Sequence, residues 1–226
     1  ETKEISGLSH FLEHMCFKGT KKRPTALDIA GELDGLGAEC NAFTAQEYTG
    51  YFAKVEAHKL DQALDIVSDL YLNPVFNAAE IEKEKGVVVE ELNMYEDLPM
   101  RKVNDLFMEL LYGDQPAGWD IGGTKEVVRS LTKDQIVAYR AAHYVPQATV
   151  VVVAGAFDEA DIIKKIETAF GGIPAGVKSG KVAVTEAQTA PQIYMKKKAV
   201  DQTHIMLGCR AFSAFDDRRF ALEVLS

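Results

Sequence analysis

Apolar residues recur along this chain at two spacings, and the switches between them lay out its elements. Residues 5–18 place Phe11 and Leu12 on one side and polar groups on the other, predicting a helix that ends at the breaker run KGTKKRPT. A second helix is expected over 25–36, stopping at Gly37, with Leu27, Ala30, Leu33 and Leu36 turned inward. Residues 39–56 alternate instead, rich in aromatic and Thr positions, and read as two strands of a hairpin. Helical spacing returns at 60–72, which stops at Asn73 and Pro74, and at 78–96, an acidic helix striped by Ile81, Val88, Leu92 and Tyr95. A further helix covers about 99–112, and a loop around Trp119 to Gly123 leads through short helices to Tyr144.

Beyond it, the run ATVVVVAGAF at 148–157 predicts a buried strand, and 158–170 a helix with Ile162, Ile163, Ile166 and Phe170 on one face. The pattern then loosens into a Gly-, Ala- and Lys-bearing stretch that predicts an interdomain linker at 176–190. QIYMKKK and THIMLGCR read as the first strands of a second unit, with a helix beginning near Asp216. A hairpin followed by three successive helices has no strict βαβ rhythm. The fold class expected is therefore α+β: a mixed or antiparallel sheet with helices packed on one face. The corresponding division is a first unit over 1–175, the linker, and the start of a second unit over 191–226.

Composition narrows the function classes. With 47% hydrophobic and 26% charged residues, and no apolar run near the roughly eighteen needed to cross a bilayer, a soluble globular protein without a membrane anchor is expected. A net charge of −9 argues against nucleic acid, whose phosphates demand clustered Lys and Arg. Cys16, Cys40 and Cys209 are odd in number and widely spaced, so neither a disulfide framework nor a zinc knuckle is indicated, and a reducing, cytoplasm-like compartment is favoured. The chain opens on Glu1 rather than Met, which leaves its localisation unknown.

The chemistry concentrates in His10-Phe11-Leu12-Glu13-His14. At about 100° per residue, His10, Glu13 and His14 share an arc of about 100°, opposite Phe11 and Leu12. Two neutral imidazoles suit zinc, which in catalytic sites takes three protein ligands and keeps one position open. A carboxylate beside that position can accept a proton from water, and Glu13 is the candidate base. Cys16, two residues past His14, is rotated by about 200° and reads as packing. Support comes from the acidic helix, where Glu84 and Glu91 are seven apart, share a face and flank the apolar stripe. His58, His143 and His204 have no ligand-spaced partner and read as structural or exposed.

GLSHFLEHMCFKGT, CNAFTAQEYTGYF and EKEKGVVVEELNMYEDLP, in that order and spacing, resemble the pitrilysin/insulinase family of zinc metallopeptidases, known for its inverted zinc motif, and within it the processing-peptidase branch. The resemblance implies Zn2+ as cofactor, held by His10, His14 and a glutamate seventy-six residues further on, which is Glu91. It implies a supporting role for Glu84, seven residues earlier. It also raises the peptide-binding expectation for Asn41, Ala42 and Phe43, a short segment to which an extended substrate could add as a strand.

The activity that the resemblance implies is that of a zinc metalloendopeptidase acting on peptides or unfolded polypeptides, with Glu13 as general base for an activated water. The alternative is a non-catalytic partner subunit of a processing-peptidase-like assembly, and a homo- or hetero-dimer is allowed. A mitochondrial-processing-peptidase-like half, missing its first strands and followed by the start of a second homologous half, is the architecture implied.

Overall fold

The structure, a computed structural model, describes residues 1–199 and 201–225; positions 200 and 226 of the expected second unit lie outside the described residues. The chain forms two units, one of Glu1–Met94 with Asp120–Ala183, the other of Tyr95–Trp119 with Val184–Ser226. No helix among the described residues is long and apolar enough to cross a membrane.

The first unit is organised around helix α1, Leu8–Cys16. Its apolar residues fall at 8, 11, 12, 15 and 16, the i, i+3, i+4, i+7 spacing of a single helical face, and all five side chains are fully buried. Each such burial is worth about 1.5–3 kcal/mol before the entropy of ordering is subtracted. They pack with Val88 and Leu92 of α4, Ala78–Glu96, with Val128 of α6, Lys125–Ser130, and with Ile136 of α7, Lys133–His143. The helix starts at Gly7, whose φ of 94° suits glycine, and a Cβ there would lie 2.4 Å from the Gly122 carbonyl oxygen. Two of the first-turn donors are taken up by the Glu1 carboxylate, which accepts from the backbone N–H of Gly7 at 2.9 Å and of Ser9 at 2.6 Å.

A second apolar layer joins α2, Ala26–Gly35, to α3, Leu60–Leu72, through Ile29, Leu33, Ile66 and Leu70. The inward stripe of α2 differs from the expected one: Leu27 is 80% exposed and Ile29 is buried. Both phases are apolar, and contact with α3 selects between them. The hairpin forms as expected, β1 at Glu39–Thr44 pairing antiparallel with β2 at Thr49–Lys54 in the register Thr44↔Thr49 to Glu39↔Lys54. Helix α8, Glu159–Phe170, is capped by the Asp158 carboxylate and packs on α3; its Ile162 is buried but Ile163, expected on the same face, is exposed.

The predicted strand at 148–157 does not form. Exposure still alternates along it, with Val150 and Val152 at 85% and 80% and their neighbours half-buried, but no ladder partner lies beside it among the described residues. In the second unit, α5 at Pro99–Tyr112 and α9 at Arg219–Leu225 form as expected, whereas 192–198 and 203–210 are not strands. Those segments instead border a groove of about 830 Å³ with Val103, Leu106 and Phe107 of α5. All three corrections share one cause: alternation prepares a strand, and only hydrogen bonding to a neighbour makes one. What does form is a helix-rich α+β fold with a small two-stranded antiparallel sheet.

The loop leaving α1 is tied down by a buried ionic knot. Arg23, 2% exposed, donates to Asp69 at 2.8 Å, to Asp65 at 2.7 Å and to Glu32 at 2.9 Å, and the Thr20 hydroxyl donates to the same Asp69 oxygen at 2.5 Å. Removing one partner of a buried pair leaves the other charge uncompensated. Arg23→Met is therefore expected to cost about 3–5 kcal/mol, read as a lower urea midpoint, while Leu27→Ser should stay within about 0.5 kcal/mol. An unchanged midpoint for Arg23→Met would deny the knot its structural role.

Candidate metal centre

With its apolar face committed to the core, α1 presents His10, Glu13 and His14 on the other side. Helix α4 packs on α1 through Val88 and Leu92, and this brings the half-buried Glu91 over the two imidazoles. His14 Nε2 stands 3.2 Å from His10 Nε2 and 3.3 Å from Glu91 Oε2, and His10 Nε2 stands 3.6 Å from the same oxygen. Donors held about 2.0–2.1 Å from a tetrahedral zinc ion are separated by about 3.3–3.4 Å, and the three edges lie within about 0.3 Å of that separation. Among the described residues, His10, His14 and Glu91 are the one group of potential ligands that converges this way. Two imidazoles and a carboxylate also make a donor set proper to zinc.

A further carboxylate orients one of these donors. Glu84, 3% exposed, accepts from His14 Nδ1 at 2.8 Å and from Lys18 Nζ at 2.7 Å. A carboxylate can only accept, so the His14 proton sits on Nδ1 and the Nε2 lone pair faces the other two donors. Burial works to raise the Glu84 carboxyl, but the His14 and Lys18 contacts hold it below the usual range. Glu13 lies outside the converging group. Its Oε2 accepts from Thr44 Oγ1 at 2.5 Å, and burial raises its carboxyl above the usual value despite that hydrogen bond.

Asn41, Ala42 and Phe43 lie on β1, which has β2 as its one ladder partner among the described residues. The Ala42 N–H donates to the Asn41 side-chain oxygen at 2.9 Å, so an incoming strand must draw Asn41 aside to reach that donor. Cys16 packs in the core, accepts from the Tyr51 hydroxyl at 3.4 Å, and burial pushes its thiol up to about 11. Tyr144 shares a 2.8 Å hydroxyl contact with Tyr51, and His143 stacks on Tyr139, both apart from the donor group.

Sequence reasoning missed Lys18 and Thr44. Lys18 was within reach of it, being four residues past His14 on the same side of the chain. Thr44 carried a weaker signal, the two-residue period that puts it on the face of Ala42.

The family model "Insulinase (Peptidase family M16)" matches residues 1–125, and "Peptidase M16 inactive domain" matches 130–226. The chain is 39% identical to a Bacillus subtilis protein named uncharacterized zinc protease YmxG, over 100% of this chain and 54% of that one. An uncharacterized zinc protease of Streptomyces coelicolor is 35% identical over 100% of this chain and 50% of its own. The chain thus spans about half the length of the curated relatives it matches. Among solved structures, a protease from Helicobacter pylori superposes with a TM-score of 0.73 at 23% identity, covering 82% of this chain and 44% of that chain. Pitrilysin gives 0.73 at 24% identity, covering 83% and 21%. At these identities the two structures share the fold.

The Glu84–His14 contact makes a measurable demand. Glu84→Gln keeps an acceptor for Nδ1 but loses the charge, and is expected to weaken zinc retention about 10–100-fold in competition with a chromophoric chelator. Unaltered retention would mean that Glu84 serves packing alone.

Proposed function

This chain belongs to the insulinase family of peptidases, family M16, and on that premise we propose that it hydrolyses extended peptides at a zinc site formed by His10, His14 and Glu91, with Glu13 as general base. The relatives are zinc proteases by name, which supports zinc and proteolysis at the level of the family. The observation that carries the finer reading is the triangle of donors with edges of 3.2, 3.3 and 3.6 Å, beside a carboxylate that is not one of them.

Zinc, when bound, supplies Lewis acidity that polarises a carbonyl and acidifies water. The remaining work falls to side chains. Glu13 follows the ligand face of α1 and is positioned to take a proton from water and return it to the leaving amine. Glu84 holds the His14 imidazole in one tautomer and one orientation. The substrate backbone adds along Asn41, Ala42 and Phe43, and main-chain pairing of this kind reads extended shape before sequence. A second reading, a non-catalytic partner subunit, draws on the inactive-domain match over 130–226; the five site residues lie outside that stretch.

In the full-length protein, Glu13→Gln is expected to keep zinc at stoichiometry and to lower kcat by about 10²–10⁴-fold. His14→Ala should lose both metal and turnover, and a chelator should abolish cleavage that added zinc restores. A fully active Glu13→Gln protein would exclude this mechanism. Peptide affinity without turnover at stoichiometric zinc would favour the partner-subunit reading.

A further inference from the structure

Glu13 neighbours His14 on the ligand-facing side of α1, and a carboxylate is itself a competent zinc ligand. Yet the converging donors are His10, His14 and Glu91. The contact that engages Glu13 elsewhere is the Thr44 hydroxyl, 2.5 Å from Oε2. We propose that Thr44 is a positioning residue that holds Glu13 off the metal and aims its second oxygen at the water, so that the strand receiving the substrate also orients the base. The inference rests on the metallopeptidase reading of the site.

Three features of the hairpin support it. First, the hydrogen bonds have a direction. Thr44 has one hydroxyl proton and gives it to Glu13, so Thr49 Oγ1, 3.2 Å from Thr44 Oγ1, is the donor in that second contact. The chain therefore runs Thr49 to Thr44 to Glu13.

Second, the two threonines face each other in the β1–β2 register, and both are stiff at χ1. The hydroxyl is placed by a paired strand rather than by a loose loop. Third, Thr44 directly follows Asn41, Ala42 and Phe43 and shares a strand face with Ala42. Docking a peptide along β1 steadies the backbone that carries Thr44.

Contacts along 41–43 would appear in KM, whereas the orientation of Glu13 would appear in kcat. A threonine that merely satisfies a half-buried carboxylate would move stability and leave this split untouched.

The experiment uses full-length zinc-loaded protein and three variants. Thr44→Val preserves shape and strand preference; it is expected to retain zinc and to lose kcat about 10–100-fold with KM within about twofold. Thr44→Ser, which restores the hydroxyl, should return kcat to within about threefold of the parent. In cobalt-substituted protein, Thr44→Val should alter the visible absorption bands as Glu13 gains access to the metal, and Thr44→Ser should not. Parental kcat and an unchanged cobalt spectrum in Thr44→Val, a loss carried by KM, or no rescue by Ser would each overturn the proposal.

Should Thr44→Val fail to fold, Thr49→Val decides, since it removes the second hydroxyl and leaves Thr44 in place. A severalfold fall in kcat at constant KM supports the proposal, and parental kinetics overturn it. If the parent protein binds zinc but cleaves no peptide, the peptidase reading fails, and the cobalt spectra still decide whether Thr44 restrains Glu13. If the parent cleaves and Thr44→Val is normal in both readouts, only this inference fails.

Discussion

The rotation of α1 about its own axis is the constraint on which the rest of this structure depends. Leu8, Phe11, Leu12, Met15 and Cys16 are fully buried, and turning the helix by even one residue would expose several of them. At about 1.5–3 kcal/mol for each of Leu8, Phe11, Leu12 and Met15, packing alone opposes such a turn strongly. His10, Glu13 and His14 face away from the core because the core leaves them no other direction. The site residues on α1 are thus oriented by packing.

The long-range half of the site comes from the same contact. Val88 and Leu92 of α4 pack against α1, and Glu84 and Glu91 flank the stripe that those residues belong to. One interface therefore sets two distances: Glu91 over the imidazole nitrogens and Glu84 against His14 Nδ1. The close approach of the 122–123 turn to the start of α1 adds a second restraint, since a Cβ at Gly123, where φ is +70°, would lie 2.0 Å from the Ser6 carbonyl oxygen. The Arg23 knot secures the other end, so α1 is held at entry, along its face and at exit.

The hairpin joins this frame through Glu13. Among the described residues β1 has β2 as its one ladder partner, and it carries Thr44, whose hydroxyl donates to Glu13. A carboxylate braced by a strand depends on that strand's register, and here the register sets Thr44 opposite Thr49. The Asn41 side chain occupies the Ala42 N–H, so the edge is partly satisfied from within the chain, which moderates the hazard of an open strand.

The sequence by itself determined the helices and which chemical groups share a turn of them. A 3.6-residue period is a local property, and the spacing of His10, Glu13 and His14 on one turn needs no other part of the chain to be meaningful. Only the tertiary structure decided which apolar phase α2 buries, that 148–157, 192–198 and 203–210 lack ladder partners among the described residues, and that Thr44 and Lys18 reach the site. Strand pairing, helix phase and side-chain convergence are relations between distant segments. Each takes its energy from a partner that periodicity along one segment does not specify.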